Sequence, residues 1–322
     1  MVTYIIKRLL WLVPVLFIIA TLSFVLPRAV PGGPFSGEKD MPPEIKENLE
    51  RKYHLDKPVL LNGTELRKLH PIRALTDTQY FIYMKSLLHG DLGPSFKYRD
   101  RSVNEILAQA LPISMTLGTL AMTFALIVGV SAGVLAAVRR NSWVDYAVMT
   151  LAMTGVCIPN FVLGVLLLMV FSFQLQWLPV AGWGGFPHMI MPAVCLGAPY
   201  AAYLARLTRG SMLEVINQDY IRTATAKGLS PRVTILHHAL RNGMVPVVAF
   251  LGPAMAGVLT GSLVVEKIFA IAGIGSHFVN GALNRDYTLV MGTVLVYSLF
   301  LVLFNLASDV AQTFIDPRVK LE

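Results

Sequence analysis

Long stretches without a charged side chain are the feature of this sequence that most constrains its fold. No Asp, Glu, Lys or Arg occurs from Tyr146 to Ala205, and only 14% of the whole chain is charged. Soluble domains carry roughly 25% charged residues, and a bilayer core about 30 Å thick is crossed by about 20 mostly apolar residues. The chain is therefore predicted to be an integral membrane protein. Its apolar content excludes a disordered chain, and its two cysteines exclude a disulfide scaffold.

Six uncharged segments are long enough to cross a membrane, once the longest is divided at its polar centre near 174–188. The first follows Lys7 and Arg8 as a signal peptide would. It is longer than an h-region of about 7–15 residues and lacks a small-residue cleavage site, so we interpret it as a retained span. The prediction is an all-α polytopic membrane protein with six transmembrane helices. The spans are 9–27, 111–138, 146–173, 189–207, 242–265 and 287–308.

Basic residues near the spans predict the orientation. Twelve Lys and Arg lie on the side of the two termini, whereas the short loops of the opposite side hold only Lys267 and Arg285. Because cytoplasmic loops are enriched in Lys and Arg, both termini are predicted to be cytoplasmic. Three regions follow: 1–27 with the first span, an extracytoplasmic loop 28–110, and a five-helix core 111–322.

The long extracytoplasmic loop contains one segment with helical periodicity. Ile45, Leu49 and Tyr53 are spaced four residues apart after Pro42 and Pro43. Proline in the first turn followed by Glu is typical of a helix start. The pattern predicts a short amphipathic helix on the outer face, and a solvated lid without a partner is the alternative.

The cytoplasmic segment 208–242 joins the fourth and fifth spans. Ser211 followed by Glu214 matches a capping box and predicts that a short helix begins there. Gly228 can end that helix by adopting a positive φ, and Pro231 suits the first turn of a second helix. A short helix with small residues near its end favours close docking against a partner; an ordinary connector is the alternative.

One span contains residues that interrupt a helix, and another contains glycines that allow close helix packing. Pro159 breaks the third span, and Asn160 places an amide in the membrane. We expect this amide to face a translocation cavity, with a helix–helix hydrogen bond as the alternative. In the fifth span, Gly252, Gly257 and Gly261 predict a small-residue packing face against a second membrane subunit.

Several motifs resemble one family, the permease subunits of peptide-importing ABC transporters (dipeptide/oligopeptide permease family). They are spread along the chain. The matching stretches are His89-Gly-Asp-Leu-Gly-Pro-Ser-Phe-Lys97, Arg206-Leu-Thr-Arg-Gly-Ser-Met-Leu-Glu214, Tyr220-Ile-Arg-Thr-Ala-Thr-Ala-Lys-Gly-Leu229, His238-Ala-Leu-Arg-Asn242 and Asn284-Arg-Asp-Tyr287.

The chain departs from the family pattern at a few positions. Thr225 stands where the peptide subfamily has Arg, and Ala272 stands where Pro normally precedes the first glycine of the last outer loop. The second change weakens the expectation of a rigid turn there. Residues 61–77 look like additional loop sequence.

The resemblance implies a transport subunit of the bacterial inner membrane that catalyses no reaction and binds no cofactor, with ATP and Mg on partner subunits. The implied partners are a homologous second permease subunit, two cytoplasmic ATPases, an extracytoplasmic peptide-binding protein and membrane lipid, with no nucleic acid. The region Leu213–Gly228 would be the coupling helix to the ATPases. Its candidate contact residues are Leu213, Tyr220, Arg222, Thr223, Ala224, Ala226, Lys227 and Gly228.

Other chemistries lack their residues. The Gly-Lys step of a nucleotide-binding P-loop is absent, and the predicted spans contain no charged residue at mid-bilayer depth for ion coupling and no histidine. The adjacent His237 and His238 point about 100° apart on a helix, which is unfavourable for a shared metal. Cys157 and Cys195 are expected to pack as small apolar residues. Alternatives are another substrate of the same family (dipeptide, haem, nickel or murein peptide), or a non-ABC channel or structural protein.

Overall fold

The part of the chain that can be described is built from helices. The computed structural model describes residues 2–35, 42–63 and 71–315. Within them, extended pairing is confined to an isolated bridge between Pro94 and Ser102. The helices are α1 Val2–Ala29, α2 Pro43–Lys52, α3 Pro71–Thr76, α4 Gln79–Leu88, α5 Val103–Val138, α6 Trp143–Cys157, α7 Asn160–Leu167, α8 Phe186–Ile216, α9 Asp219–Ala226, α10 Pro231–Gly243, α11 Val245–Ile268, α12 Ile274–Leu283 and α13 Tyr287–Ile315.

The helices agree with the predicted spans. In the described ranges, α1, α5, α8 and α13 are each long and apolar enough to cross a membrane. The number of spans rises to six if each of two bent pairs is one crossing: α6 with α7, and α10 with α11. The all-α, six-span prediction is confirmed in this sense.

The break in the third span lies at Ile158 and Pro159. The axes of α6 and of the α7 segment, which continues through a π-helical turn to Gln174, differ by 105°. Ile158 is extended, with φ −78° and ψ 119°, because a residue before proline is driven out of the α region. Pro159 then precedes the first residue of α7. The interruption predicted at these residues is confirmed.

The fourth span is longer than expected, and the predicted helix start at Ser211 is wrong. α8 continues to Ile216, so Ser211 lies inside it. The Ser211 hydroxyl donates to the Thr208 carbonyl and, at 2.7 Å, to the Gly243 carbonyl of α10. Its hydroxyl is thereby used for packing two helices together, and the next helix starts only at Asp219.

Contacts divide the chain into two compact units. One contains residues 2–12, 112–276 and 299–315 of the described chain, and the other contains the described parts of 13–111 and 277–298. The core of the first unit is formed by buried side chains of α5, α8 and α11, among them Leu117, Leu196, Leu204 and Val258.

Glycines bring α5 and α8 into backbone contact in this first unit. A Cβ at Gly129 would lie 2.5 Å from the Ala201 carbonyl oxygen, and one at Gly133 would lie 2.5 Å from the Ala205 carbonyl oxygen. Gly197 of α8 meets the Ala121 carbonyl in the same way. Small residues permit this approach in membrane helices, and here each glycine lies directly against a backbone carbonyl of the facing helix.

The glycines of α11 serve a different purpose from the one predicted. Gly252 packs against Ser308 of α13, and a Cβ at Gly257 would lie 2.6 Å from the Tyr200 hydroxyl of α8. Both contacts are therefore within this chain, and the predicted single face toward another subunit is wrong for these two residues. A five-residue spacing turns them about 140° apart on a helix, so they cannot form one stripe. The side-chain surroundings of Gly261 lie outside the described set.

The turn after α11 is organised by a buried carboxylate. Glu266 is 0% exposed and accepts hydrogen bonds from the Ser114 hydroxyl at 2.7 Å and the Ser276 N–H at 2.9 Å. A Cβ at Gly273 would lie 2.5 Å from that carboxyl group. The turn at Ala272 is thus held by a carboxylate without the family's proline.

Aromatic side chains form much of the core of the second unit. Leu49 and Tyr53, from α2 and the residue that follows it, pack with buried Phe35, Phe96 and Tyr287. A helix is present where the pattern predicts one, and Leu49 and Tyr53 are packed while Ile45 on the same pattern is 51% exposed. Its location on the outer face stays a prediction. Of the additional loop sequence at 61–77, residues 64–70 lie outside the described ranges.

Two of the family motifs meet in this unit. Asp286 is 0% exposed and accepts hydrogen bonds from the Ser95 hydroxyl, the Phe96 N–H and the Thr288 hydroxyl. It also accepts from the Leu289 N–H in the first turn of α13. One carboxylate therefore starts α13 and fixes the segment before α5.

Candidate functional site

The candidate site is the segment from the end of α8 to α10, and α9 is its centre. Ile221 and Ala224 of α9 are 6% and 7% exposed, whereas Asp219, Arg222 and Thr223 are exposed. Buried positions three residues apart give this eight-residue helix one face against its own chain. The opposite face is left open.

A small apolar cluster holds α9 against the ends of its neighbours. Ile221 is buried together with Ala137 of α5, Met212 of α8 and Ala239 of α10. Leu213 is half-buried at the edge of this cluster. The position of α9 is therefore tied to the ends of three longer helices.

A hydrogen bond connects two of the motifs noted in the sequence. The Asn242 side-chain amide donates to the Tyr220 hydroxyl at 2.8 Å, so α10 holds the first turn of α9. Both residues are exposed, and their contact was not foreseen because it joins positions 22 residues apart.

The end of α9 has the predicted backbone geometry. Gly228 has φ +81°, in the region that favours glycine, and its N–H donates to the Thr225 carbonyl. A Cβ there would meet no atom within 4 Å in the described chain. Ser230 then accepts from the Val233 N–H, and α10 begins at Pro231 as expected.

The predicted contact residues occupy two different environments. Leu213 is half-buried and Ala224 is buried, so both face the chain itself. The remaining predicted residues are exposed. They are Tyr220, Arg222, Thr223, Ala226, Lys227 and Gly228.

The charged side chains on the open face of α9 make weak interactions within the chain. The Arg222 guanidinium lies 3.6 Å from Asp219, and the two side chains are 74% and 96% exposed. Lys227 follows at the end of α9 and is exposed. Exposed pairs of this kind contribute little stability, so these charges remain accessible to a partner.

An ion pair that sequence reasoning missed lies two turns before this segment. Arg209 of α8 donates through Nε to Asp145 Oδ1 at 2.6 Å and through Nη2 to Oδ2 at 2.7 Å. The Asp145 side chain is 2% exposed and also accepts from the Asn141 N–H. This bidentate pair fixes α8 to the start of α6. Arg209 lies within a recognised motif, but its partner 64 residues away could not be deduced.

The second predicted location is the break in the third span. Pro159 is exposed and Asn160 is partly exposed at the start of α7. The Asn160 backbone carbonyl accepts from the Cys195 thiol at 3.1 Å, which ties the break to α8. Among the described residues, no three His, Cys, Asp or Glu side chains converge as metal ligands would.

Comparison with known proteins gives consistent matches over the whole chain. Residues 129–321 match the family described as binding-protein-dependent transport system inner membrane component. The oligopeptide transport system permease protein OppB of Escherichia coli K12 is 48% identical over 322 residues, covering 99% of this chain and 100% of that protein. OppB of Haemophilus influenzae is 45% identical with the same coverage. The dipeptide transport system permease protein DppB of Bacillus subtilis is 44% identical, covering 100% and 99%.

A solved structure supports the fold. The inward-facing MetNI methionine ABC transporter has a chain with TM-score 0.56 and 21% identity, covering 65% of this chain and 96% of that one. At this identity the likeness concerns the arrangement of the helices.

Proposed function

The chain belongs to the family of binding-protein-dependent transport system inner membrane components, and on that premise we propose that α9 couples it to cytoplasmic ATPases. The chain is a permease subunit of a peptide ABC importer, a transport subunit rather than a catalytic one. The observation that carries the coupling proposal is the two-sided placement of α9. Its inner face lies on the ends of α5, α8 and α10, and its outer face lies open.

The proposed orientation places both termini and α9 in the cytoplasm. The imbalance of Lys and Arg near the spans supports it, with twelve residues on one side and two on the other. The segment between α1 and α5 would then face outward, where a peptide-binding protein delivers its cargo.

The proposed mechanism is alternating access driven by partner subunits. Two cytoplasmic ATPases hold ATP and Mg, and their closure moves α9. Arg209 and Asp145 pass the movement from α8 to α6, and the glycine contacts pass it to α5. A homologous second permease subunit would complete the path. Bidentate ion pairs and backbone contacts suit this role because both are geometrically specific.

The proposed cargo is an oligopeptide. Relatives named for oligopeptide transport are 45–48% identical to the chain, and one named for dipeptide transport is 44% identical. Because the two levels are so close, dipeptides are the second candidate. Competition between unlabelled dipeptides and longer peptides for uptake by the assembled transporter would separate them.

A bulky substitution on the open face tests the coupling proposal. Ala226→Trp adds a large side chain at an exposed position without removing a side-chain hydrogen bond, so the chain should still insert and fold. We expect loss of ATP-driven peptide uptake and of copurifying ATPase. Arg140→Trp, on the exposed turn between α5 and α6, is the matched control and should retain both. Normal uptake and copurification in Ala226→Trp would refute coupling through α9, and uptake by the chain without any ATPase would refute the ABC mechanism.

A further inference from the structure

Arg28, in the last turn of α1, is a cation set against buried aromatic rings. Its Cζ lies 3.6 Å from the centroid of the Phe24 ring, which is 0% exposed, and 5.6 Å from that of Tyr287. Packing against a buried ring removes water from one face of the guanidinium. The contact compensates part of the loss, as cation–π interactions do.

Within the placed residues, the hydrogen bonds of Arg28 all go to neutral groups. Nε donates to Gln79 Oε1 at 3.1 Å, and Nη1 donates to the Phe24 carbonyl at 3.0 Å and toward the Met291 sulfur at 3.7 Å. In the described chain, no carboxylate lies within 4 Å of the guanidinium, and Nη2 has no acceptor. A partly desolvated cation without a counter-ion is unfavourable, and a guanidinium has five donors suited to planar oxyanions.

Arg28 lines a cavity of 220 Å³ in the second unit. The other charged or titratable residues of its wall are Lys52, Tyr53, His54, Tyr83 and Asp91, and Asp91 Oδ1 already accepts from the Gly93 N–H. The wall thus carries two permanent cations and one carboxylate. Charge and donors together indicate an anionic ligand.

A second cavity of 340 Å³ is lined by Tyr287, whose ring centroid lies 5.6 Å from Cζ of Arg28 in the wall of the first cavity. Its walls are mainly apolar, with the side chains of Leu26, Val30, Ala282 and Val290, and they also include Arg285, which donates to the Pro31 carbonyl. Leu26 and Val30 are 64% and 56% exposed, at the end of a helix that is long and apolar enough to cross a membrane. A cationic cavity and an apolar groove therefore adjoin where a span reaches the bilayer surface.

We propose that the two cavities together bind one phospholipid, with its phosphate on Arg28 and an acyl chain along the Leu26 groove. A phosphate diester supplies the missing counter-ion, and arginine forms forked hydrogen bonds with it. The apolar groove distinguishes this ligand from an acidic peptide or protein, which would leave the groove empty. The location at the end of α1 places the phosphate at headgroup depth.

The test is phospholipid retention by the complete transporter, measured by native mass spectrometry in mild detergent. After delipidation, a short-chain phosphatidylglycerol is titrated back. Arg28→Gln removes the charge, and Ala282→Trp fills the groove from an exposed position without threatening the fold. Arg51→Gln is the matched control, because Arg51 is exposed, pairs with Glu47 in its own helix and lines neither cavity.

We expect Arg28→Gln and Ala282→Trp each to weaken phosphatidylglycerol binding about tenfold or more, and Arg51→Gln to leave it unchanged. Diacylglycerol with the same chains should bind weakly, as should inorganic phosphate or the water-soluble headgroup alone. Equal binding by wild type and Arg28→Gln would overturn the proposal. So would equal binding of diacylglycerol, tight binding of phosphate without lipid, or preferential binding of a Glu-rich peptide.

Discussion

Breaking the Arg209–Asp145 pair should destabilise the chain strongly, and removing the arginine should cost more than removing the aspartate. Arg209→Ala leaves a carboxylate that is 2% exposed without its cation, and losing one partner of a buried pair costs about 3–5 kcal/mol. We expect about 3 kcal/mol, the lower end of that range, because the Arg209 side chain is 28% exposed and water already reaches the site. Asp145→Ala leaves a cation that can turn toward water, and should cost about 2 kcal/mol.

A double-variant cycle isolates the interaction itself. The variant with both changes should cost about 1–3 kcal/mol less than the sum of the single changes, because the second substitution finds the pair already broken. Free energies of unfolding are measured by titrating the purified chain in mixed micelles with SDS. Arg222→Ala is the control in the same unit, since its pair with Asp219 is exposed on both sides, and it should change stability by less than about 0.5 kcal/mol.

The reasoning fails if Arg209→Ala is no more destabilising than Arg222→Ala. It also fails if the single costs of Arg209→Ala and Asp145→Ala simply add, because two residues that donate and accept at 2.6 and 2.7 Å must show coupling.

Three further outcomes are expected. Gly228→Asp should abolish peptide uptake while membrane insertion is retained, because a Cβ there meets nothing within 4 Å in the described chain; φ +81° favours glycine, so the variant should also lose about 1 kcal/mol of stability. Near-normal uptake would count against docking at this residue. Burial, and secondarily the charge of Arg101, holds the pKa of His277 below its ordinary value, so the folded state favours the neutral ring. Stability from this residue should be complete above pH about 6.5 and fall as the pH drops; a His277→Gln variant should lose less melting temperature between pH 7.5 and 5.5, and an unchanged pH profile would contradict the assignment. Asp286→Ala should orphan the Phe96 and Leu289 N–H groups at about 1–3 kcal/mol each; faster protease cleavage between α1 and α5 is the readout, and wild-type resistance would refute it.

Sequence reasoning succeeded where a residue type dictates local geometry. Pro159 breaks a helix whatever surrounds it, and Gly228 after a run of small residues ends α9 with positive φ. The apolar runs likewise predicted the spans, because bilayer thickness sets helix length independently of tertiary contacts.

It failed where the outcome depends on a distant neighbour. Ser211 has the residue type of a helix cap, but a carbonyl of α10 takes its hydroxyl and α8 continues. Gly252 lies against Ser308 rather than another subunit, and the partner of Arg209 is set by how α6 and α8 are rotated. Periodicity within one helix carries no information about such rotations, so the long-range contacts around the site appear only in three dimensions.

The glycine contacts between α5 and α8 make these two helices move together as a rigid pair. At Gly129 and Gly133 the opposing atoms are backbone atoms of α8 and the Cβ atoms of Leu204 and Thr208, and none of these changes position when a side-chain rotamer changes. A displacement of one helix is then transmitted to the other without being reduced. Even a methyl group would act as a spacer here, so the stiffness of the subunit depends on positions that contribute no side chain at all.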